Sequence, residues 1–429
     1  MVVSRKAWVG FVLFFAVAWG QAADEDYRPY TEQPRLFLRA QRLRLLKRER
    51  DRQSMRWEQF NTLMAGKAQM AEPGFASALF YEVTGDRDSG QRAVEWAANS
   101  GDIRQVAIVY DWCQSLMSAA QNKATAARLT KAAAALGAKS DFVSMRDRAF
   151  AAIAVADVDP AGASAALRDI VQNAWRKRAV PILKAGAGLP PTEQVHAIYE
   201  LMHAVRDNLN IDLRDDFPAW FKTVPQVHLL SHYPAPYPAP ENEYRVPAYD
   251  ADSAPDLRRA ALSRATELSM VAYDVNAAET QFIQGWLMQD RFLMRSTFGI
   301  TYEYMWANPY QPGLSYFHLP LAIHDPLSGS LFVRSSWDED ALWLGRVGAD
   351  WQTFKEGKIT VLNTQKRREP VVIGETQLFV AQDPMRFDVK QAAARAYVLG
   401  LKARSAYDVE VDDEEMHEGV TDGAGTLEV

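Results

Sequence analysis

The sequence predicts an α+β chain with helical hairpins first and an antiparallel sheet or sandwich second. Apolar residues recur at helical spacing from Pro34 to about Tyr310, and short polar or Gly/Pro breaks separate the runs. From Tyr316 the pattern becomes short alternating strands with turn formers between them. Since 429 residues exceed what one hydrophobic core usually supports, we expect two domains, residues 34–310 and 316–429.

The beginning of the chain has the pattern of an export signal. Arg5 and Lys6 precede an apolar run from Ala7 to Trp19, and small residues follow it. The run is shorter than the roughly 20 apolar residues that cross a bilayer comfortably. We therefore predict a signal peptide at residues 1–22 and a bacterial periplasmic or secreted protein, without a stable membrane anchor after cleavage.

Charge and cysteine content argue against a nucleic-acid partner and against an internal disulfide. The formal net charge is −6 and the isoelectric point about 5.8, so nucleic acid is not an expected partner. Cys113 is the only cysteine, and an internal disulfide is therefore absent. The exported protein must rely on its hydrophobic cores for stability.

The predicted helices follow one another at short intervals, which favours a toroid or solenoid of antiparallel hairpins. Gly85 suits the C-terminus of one of these helices. Residues 228–255 interrupt the series with a segment rich in Pro and Tyr, which we interpret as a functional loop. The predicted helices are Pro34–Leu46, Phe75–Val83, Gln91–Ala98, Ile103–Met117, Lys123–Leu136, Val143–Val155, Ala163–Leu183, Glu193–Leu209, Ala219–Val227, Asp256–Ala272, Ala277–Met288 and Asp290–Trp306.

Four segments together resemble one known family. They read PRLFLRAQRLRLL, ALFYEVTGDRDSGQRAVEWA, RQVAIVYDWCQSLMS and FVRSSWDEDALWLG, in that order between about Pro34 and Gly348. In this respect the chain is similar to the heparinase II/III-like polysaccharide lyases. The resemblance implies an incomplete α/α toroid followed by an antiparallel β-sandwich. It also implies β-elimination on an acidic, uronate-containing polysaccharide or oligosaccharide.

Such a reaction needs a cation or amide near the uronate carboxylate and a Tyr or His for proton transfer. In the segment AGAGLPPTEQVHAIYELM, where many relatives carry an acidic-Gly turn and paired tyrosines, this chain has Pro191-Thr192 and offers His196 and Tyr199. We predict these two as catalytic residues. The alternative is that one is a surface residue and the other a core edge.

Two other regions contribute candidates. Arg104 could pair with a sugar carboxylate, and Tyr110 and Trp112 on the same helix could contact sugar rings. A buried aromatic stripe with an Arg-Asp pair is the alternative reading of this helix. On the long loop we predict His232 as a third catalytic residue. Three tyrosines of this loop are candidates for substrate binding, namely Tyr233, Tyr237 and Tyr244.

No metal or cofactor is predicted. Relatives commonly carry a His-rich stretch soon after the strand entry at Phe332, but this chain has no histidine between His324 and His417. A zinc site needs several converging ligands, and we expect none in the relatives' manner.

Three functions remain open from the sequence. The first is an exported polysaccharide lyase, and the second is an inactive glycan-binding or structural protein of the same fold. The third is a glycoside hydrolase on an α/α toroid, which needs two carboxylates roughly 5–10 Å apart.

Overall fold

The computed structural model describes most of the chain. The segment from residue 6 to 24 lies outside the described residues, as do Tyr237 and Tyr244, so the predicted signal peptide is described only at residues 2–5. Side chains are not described at residues 2–5, 257–259, 411 and 415. The described ranges are residues 2–5, 25–30, 32–184, 192–236, 245–248, 257–289, 296–308, 310–326, 329–348, 350–363, 369–383, 385–387, 389, 395–411 and 415–429.

The part of the chain before residue 310 is rich in helix. Two predicted elements need correction. Pro34–Arg39 lies ahead of the first helix rather than within it, and residues 296–299 of the helix predicted over Asp290–Trp306 form turns, while residues 290–295 lie outside the described residues. Among the described residues, no helix is both long and apolar enough to cross a membrane. The helices are α1 (Ala40–Asp51), α2 (Met55–Ala65), α3 (Pro73–Thr84), α4 (Arg87–Asn99), α5 (Ile103–Cys113), α6 (Ala119–Leu136), α7 (Phe142–Ala154), α8 (Pro160–Asp169), α9 (Val180–Lys184), α10 (Thr192–Leu209), α11 (Pro218–Leu230), α12 (Leu257–Tyr273), α13 (Ala278–Gln289) and α14 (Ile300–Trp306), with a π-helical segment, Ile170–Ala179, joining α8 to α9.

Local sequence explains where several helices begin and end. The side chains of Asp86, Asp102 and Asp141 accept backbone N–H groups at the N-termini of α4, α5 and α7. Ser118 and Gln121 form a reciprocal capping box at α6. These contacts satisfy N–H groups that a helix leaves unpaired.

The part after residue 320 forms three sheets, the third of which also includes residues 2–5. The strands are β1 (Val2–Arg5), β2 (Ala322–Asp325), β3 (Ser330–Arg334), β4 (Trp343–Val347), β5 (Asp350–Lys355), β6 (Lys358–Val361), β7 (Val371–Ile373), β8 (Thr376–Val380), β9 (Arg395–Leu399), β10 (Ala406–Val411), β11 (Glu415–Val420) and β12 (Leu427–Glu428). The order is β2-β3-β4-β5-β6 in one sheet, β12-β9-β8-β7 in the second and β1-β10-β11 in the third. All neighbouring pairs are antiparallel except β8 and β9, so a purely antiparallel arrangement is wrong at this pair. Parallel neighbours need a crossover rather than a hairpin turn.

The helical part and the first sheet share one hydrophobic core. Trp343 on β4 donates its indole N–H to the carbonyl of Leu230, the last residue of α11, at 2.7 Å. Next to it, the ring of Tyr233 stacks on Phe354 with ring centroids 4.7 Å apart. The hydroxyl of Tyr233 donates to Gln352 on β5 at 3.0 Å. The chain just after α11 is therefore held against the sheet by buried contacts.

Two of the segments that carry the family resemblance contact each other. One carboxylate oxygen of Asp111 accepts the backbone N–H groups of Arg35 and Leu36, at 2.7 and 2.8 Å. The indole of Trp112 donates to the carbonyl of Leu36 at 2.9 Å. Asp111 and Trp112 thus hold the non-helical segment that precedes α1, so both residues have a structural role.

Candidate functional site

Arg104 lies in a buried ion network. Its guanidinium donates to both carboxylate oxygens of Glu200 on α10, with the shortest distance 2.6 Å. It also donates to Glu72 at 3.1 Å and to the hydroxyl of Tyr302 at 3.0 Å. Arg146 on α7 donates to the second oxygen of Glu200 at 2.9 Å. The network joins helices that are distant in sequence.

The electrostatics of this network are dominated by two guanidinium groups around one carboxylate. Burial by itself raises the pKa of Glu200, but Arg104, His196 and Arg146 outweigh burial and hold that pKa well below its usual range. Glu200 therefore stays ionised. Because the donors of Arg104 are directed at protein acceptors and its side chain is 5% exposed, the described contacts do not present it to a ligand.

His196 lies at the edge of the same network. Its Nε2 is 3.5 Å from Glu200, and its ring meets the ring of Tyr302 edge-on with centroids 5.4 Å apart. Neither ring nitrogen has a hydrogen-bond partner among the residues that the structure describes, and the residue is buried. Arg104 and His196 are thus brought together, but inside the core.

Tyr110 and Trp112 are also buried. The hydroxyl of Tyr110 donates to Asn122 at 2.9 Å and accepts from Gln114 at 2.9 Å. The indole of Trp112 lies against Phe75, with ring centroids 5.8 Å apart. Both predicted substrate-binding residues therefore pack in the structure, in the buried aromatic arrangement that the alternative reading describes.

Tyr199 is the predicted residue that lines an open cavity. The cavity has a volume of about 260 Å³ and lies between α10, α11 and the α12–α13 turn. Phe221 and Tyr273 each meet the Tyr199 ring edge-on, with centroids 6.2 and 6.5 Å away. The Tyr199 hydroxyl makes no hydrogen bond to a described residue. Burial raises its pKa, which keeps it a neutral hydroxyl that can donate.

The charged groups at this cavity differ in how they are engaged. Arg214 donates to Asp212 and to Asp274, the latter at 2.6 Å, and its guanidinium lies 4.8 Å from the centre of the Tyr273 ring. Lys222 is exposed and has no ion pair with any described residue. The cavity therefore offers one available cation, one phenol donor and an aromatic wall. The lining residues are Tyr199, Arg214, Asp215, Pro218, Phe221, Lys222, Met270, Tyr273, Asp274, Ala277, Glu279 and Thr280.

His232 belongs to a different cluster, formed by the C-terminal end of α11 and the middle of α12. Glu267 lies with one oxygen, Oε1, 3.0 Å from Nε2 of His228 and 3.6 Å from Nε2 of His232. The hydroxyl of Ser263 lies 3.1 Å from Nε2 of His232 and 3.3 Å from Nε2 of His228. Arg264 donates to the other oxygen of Glu267 at 3.2 Å. All of these residues are buried.

This cluster has the composition of a metal site. The ligand atoms of His228, His232 and Glu267 lie within 4.8 Å of one another. Nδ1 of His232 is 2.8 Å from the carbonyl of His228, so Nδ1 carries the proton and the lone pair of Nε2 points into the cluster. Burial lowers the pKa of His232 to about 3, so the ring is neutral.

The predicted site residues that the structure describes do not converge on one concave surface. Arg104 and His196 share the ion network, Tyr199 lines the cavity, and His232 lies in the histidine cluster. Tyr233 packs between helix and sheet, as described above. Tyr244 lies outside the described residues. Catalytic and binding roles for all of these residues remain predictions.

The sequence analysis did not identify the residues that complete the ion network, the cavity and the histidine cluster. Glu200 and Arg146 complete the ion network, Lys222 supplies the available cation, and His228 and Glu267 complete the histidine cluster. One signal was available for the cluster, since His228 and His232 are four residues apart, the spacing of one helix face, although His232 lies two residues beyond the end of α11. Ser263 and Glu267 have the same spacing.

Comparison with known proteins does not identify the chain. No protein-family profile matches it, and no curated protein matches it.

Proposed function

We propose that this is an exported, non-catalytic protein that binds an acidic saccharide, with an incomplete α/α toroid followed by a β-sandwich. The cavity at Tyr199 carries the proposal. Aromatic rings pack on sugar faces, and hydroxyl and charged groups orient sugar hydroxyls and carboxylates. The cavity volume of about 260 Å³ suits one sugar-sized group, since sites for larger ligands start at roughly 300 Å³.

Selectivity for an acidic sugar comes from Lys222. It is the lining cation without an ion pair among the described residues, whereas Arg214 is already paired with two carboxylates. A uronate carboxylate at Lys222 gains a charge-assisted hydrogen bond. Asp215, Asp274 and Glu279 add acceptors for sugar hydroxyls.

The absence of catalysis is proposed from the states of the candidate groups. The raised pKa of Tyr199 disfavours the phenolate that would remove a uronate C5 proton. Arg104, which was expected at the substrate carboxylate, is engaged by Glu200 and Glu72. His196 is buried beside the same network.

Calorimetric titration with alginate and heparin oligosaccharides tests the binding proposal. Lys222→Met is expected to weaken binding about tenfold, because a hydrogen bond to a charged group contributes roughly 1.5–3 kcal/mol. Tyr199→Phe is expected to weaken it less. The matched control is Lys131→Met, another exposed helical lysine, on α6. The proposal fails if the wild type does not bind, or if both lysine variants lose affinity equally.

A lyase at the same cavity is the second candidate, favoured by the neutral hydroxyl of Tyr199, which can protonate a leaving glycosidic oxygen. Absorbance of unsaturated uronate products separates the two functions. We expect no increase with the wild-type protein. An increase that Tyr199→Phe abolishes overturns the non-catalytic proposal and supports the lyase.

Export is proposed from Arg5, Lys6 and the apolar run that follows them. N-terminal sequencing of the protein from a periplasmic fraction or culture medium is expected to begin shortly after Ala22. Recovery with Met1 still present contradicts cleavage.

A further inference from the structure

We propose that His228, His232 and Glu267 bind a divalent transition metal, with Zn²⁺ as the best fit, and that this metal links α11 to α12. The site is separate from the saccharide cavity. It is also separate from the sheet, where the sequence-based expectation of no metal was directed.

The spacing of the ligand atoms is close to that of a metal site, in which a metal would replace the proton of the hydrogen bond between Nε2 of His228 and Oε1 of Glu267. Two ligand atoms each about 2.1 Å from a tetrahedral metal lie about 3.4 Å apart. The distances from Oε1 of Glu267 to Nε2 of His228 and His232 are 3.0 and 3.6 Å, one on each side of that value. Small side-chain rotations are therefore enough to close the site.

Neighbouring contacts orient the ligands as metal sites require. The hydrogen bond from Nδ1 of His232 to the carbonyl of His228, 2.8 Å long, leaves Nε2 free to coordinate. Arg264 holds Oε2 of Glu267 at 3.2 Å, which leaves Oε1 for the metal. Hydrogen-bonded carboxylates and histidines of this kind support many metal ligands.

A fourth position is available beside Ser263. Its hydroxyl lies 3.1 and 3.3 Å from the two Nε2 atoms, so the hydroxyl, or a water molecule that it holds, supplies an oxygen ligand. Two imidazoles, one carboxylate and one neutral oxygen suit Zn²⁺ better than Ca²⁺ or Mg²⁺, which prefer oxygen ligands alone.

Burial points to a structural role. The two histidines and Glu267 are each at most 5% exposed, and the ring of Trp286 lies beside His232 with centroids 5.8 Å apart. Leu230, between the two histidines, is the residue whose carbonyl accepts the indole N–H of Trp343. A metal here would brace the end of α11 where it contacts the sheet.

The test uses full-length mature protein without a histidine tag, stripped with a chelator and then titrated with Zn²⁺. We expect one Zn²⁺ per chain by elemental analysis. The thermal midpoint should rise by about 3 °C when free Zn²⁺ is about 100 times its Kd. Co²⁺ in place of Zn²⁺ should give visible absorption of a four-coordinate site.

His232→Gln and Glu267→Gln are expected to lose the bound metal and the rise in thermal midpoint. The matched control is His203→Gln, which alters another buried histidine, one that contacts the carbonyl of Ser269, and should keep the metal. Because the first two variants could fail to fold, X-ray absorption of the Zn²⁺-loaded wild type provides an independent readout. It should report two imidazole nitrogens in the first coordination shell. Failure of the stripped wild type to take up metal, or a shell without imidazole, overturns the proposal.

Discussion

Glu200 and Glu267 are two buried carboxylates with different surroundings. Glu200 is enclosed by the guanidinium groups of Arg104 and Arg146. Glu267 has one guanidinium on one oxygen and two imidazole nitrogens facing the other. Burial of a carboxylate is therefore not enough to make it part of a ligand-binding site. Permanent cations surround the first carboxylate, whereas the second lies with two imidazole nitrogens, all three ligand atoms within 4.8 Å of one another.

The largest expected effect is at the closed cluster. Glu200→Gln leaves two buried guanidinium groups without their common counter-charge, and removal of one partner from a buried ion pair typically costs about 3–5 kcal/mol in the free energy of unfolding. Urea unfolding followed by circular dichroism measures this. Glu72→Gln, which removes a more exposed partner of Arg104, is the control and should cost less. Equal losses would mean that the network is not centred on Glu200.

A smaller effect is expected at the histidine cluster. In the metal-free protein, Glu267→Gln should cost about 1–3 kcal/mol, because buried partners lose a charged hydrogen-bond acceptor. The same unfolding measurement with saturating Zn²⁺ should widen the gap between wild type and variant. If Zn²⁺ does not change the difference in the free energy of unfolding between wild type and variant, Glu267 is, like Glu200, part of a network that binds no ligand.

His324, in the sheets, contacts two carboxylates and can be compared with the clusters around Glu200 and Glu267. Burial by itself lowers the pKa of His324, but hydrogen bonds with Asp422 and Glu428 raise it above its ordinary value of 6.5. Since the folded-state pKa is the higher one, the stabilisation is complete below pH 6.5 and is lost as the pH rises through the raised pKa. Urea midpoints across this range should fall in the wild type and change less in His324→Gln. Identical slopes would remove His324 as the cause.

The smallest expected effect is at His196. His196→Phe keeps an aromatic ring against Tyr302 and removes only the 3.5 Å contact with Glu200, which retains both guanidinium partners. The free energy of unfolding should therefore fall by less than about 1.5 kcal/mol. A larger loss would show that the 3.5 Å contact with Glu200 is a necessary part of the closed cluster.

The local sequence pattern was sufficient to predict most of the helices. The helices around Tyr110 and Tyr199 begin within about one residue of their predicted positions, because helical spacing and capping residues are local signals. The entry at Pro34 was misassigned, since its backbone at Leu36 is held by Asp111 and Trp112, which are distant in the sequence. The parallel pairing of β8 with β9 also depends on a crossover that alternation does not reveal.

The candidate sites depended on contacts across the chain. The sequence suggested proton-transfer chemistry at His196, but Glu200, one turn later, and Arg104, on another helix, turn that region into a buried ion network. His232 was selected from a loop, yet its partners Ser263 and Glu267 lie on the next helix.

By itself, the sequence determined the order of a helical part and a sheet part, the acidic balance and the positions of most helices, because those properties depend on composition and local periodicity. Only the tertiary structure decided which polar residues meet. Side chains separated by 96 residues, as in the Arg104–Glu200 pair, or by 39 residues, as in the His228–Glu267 pair, interact only once helices pack. Burial then determines whether such groups neutralise one another or remain able to bind a ligand.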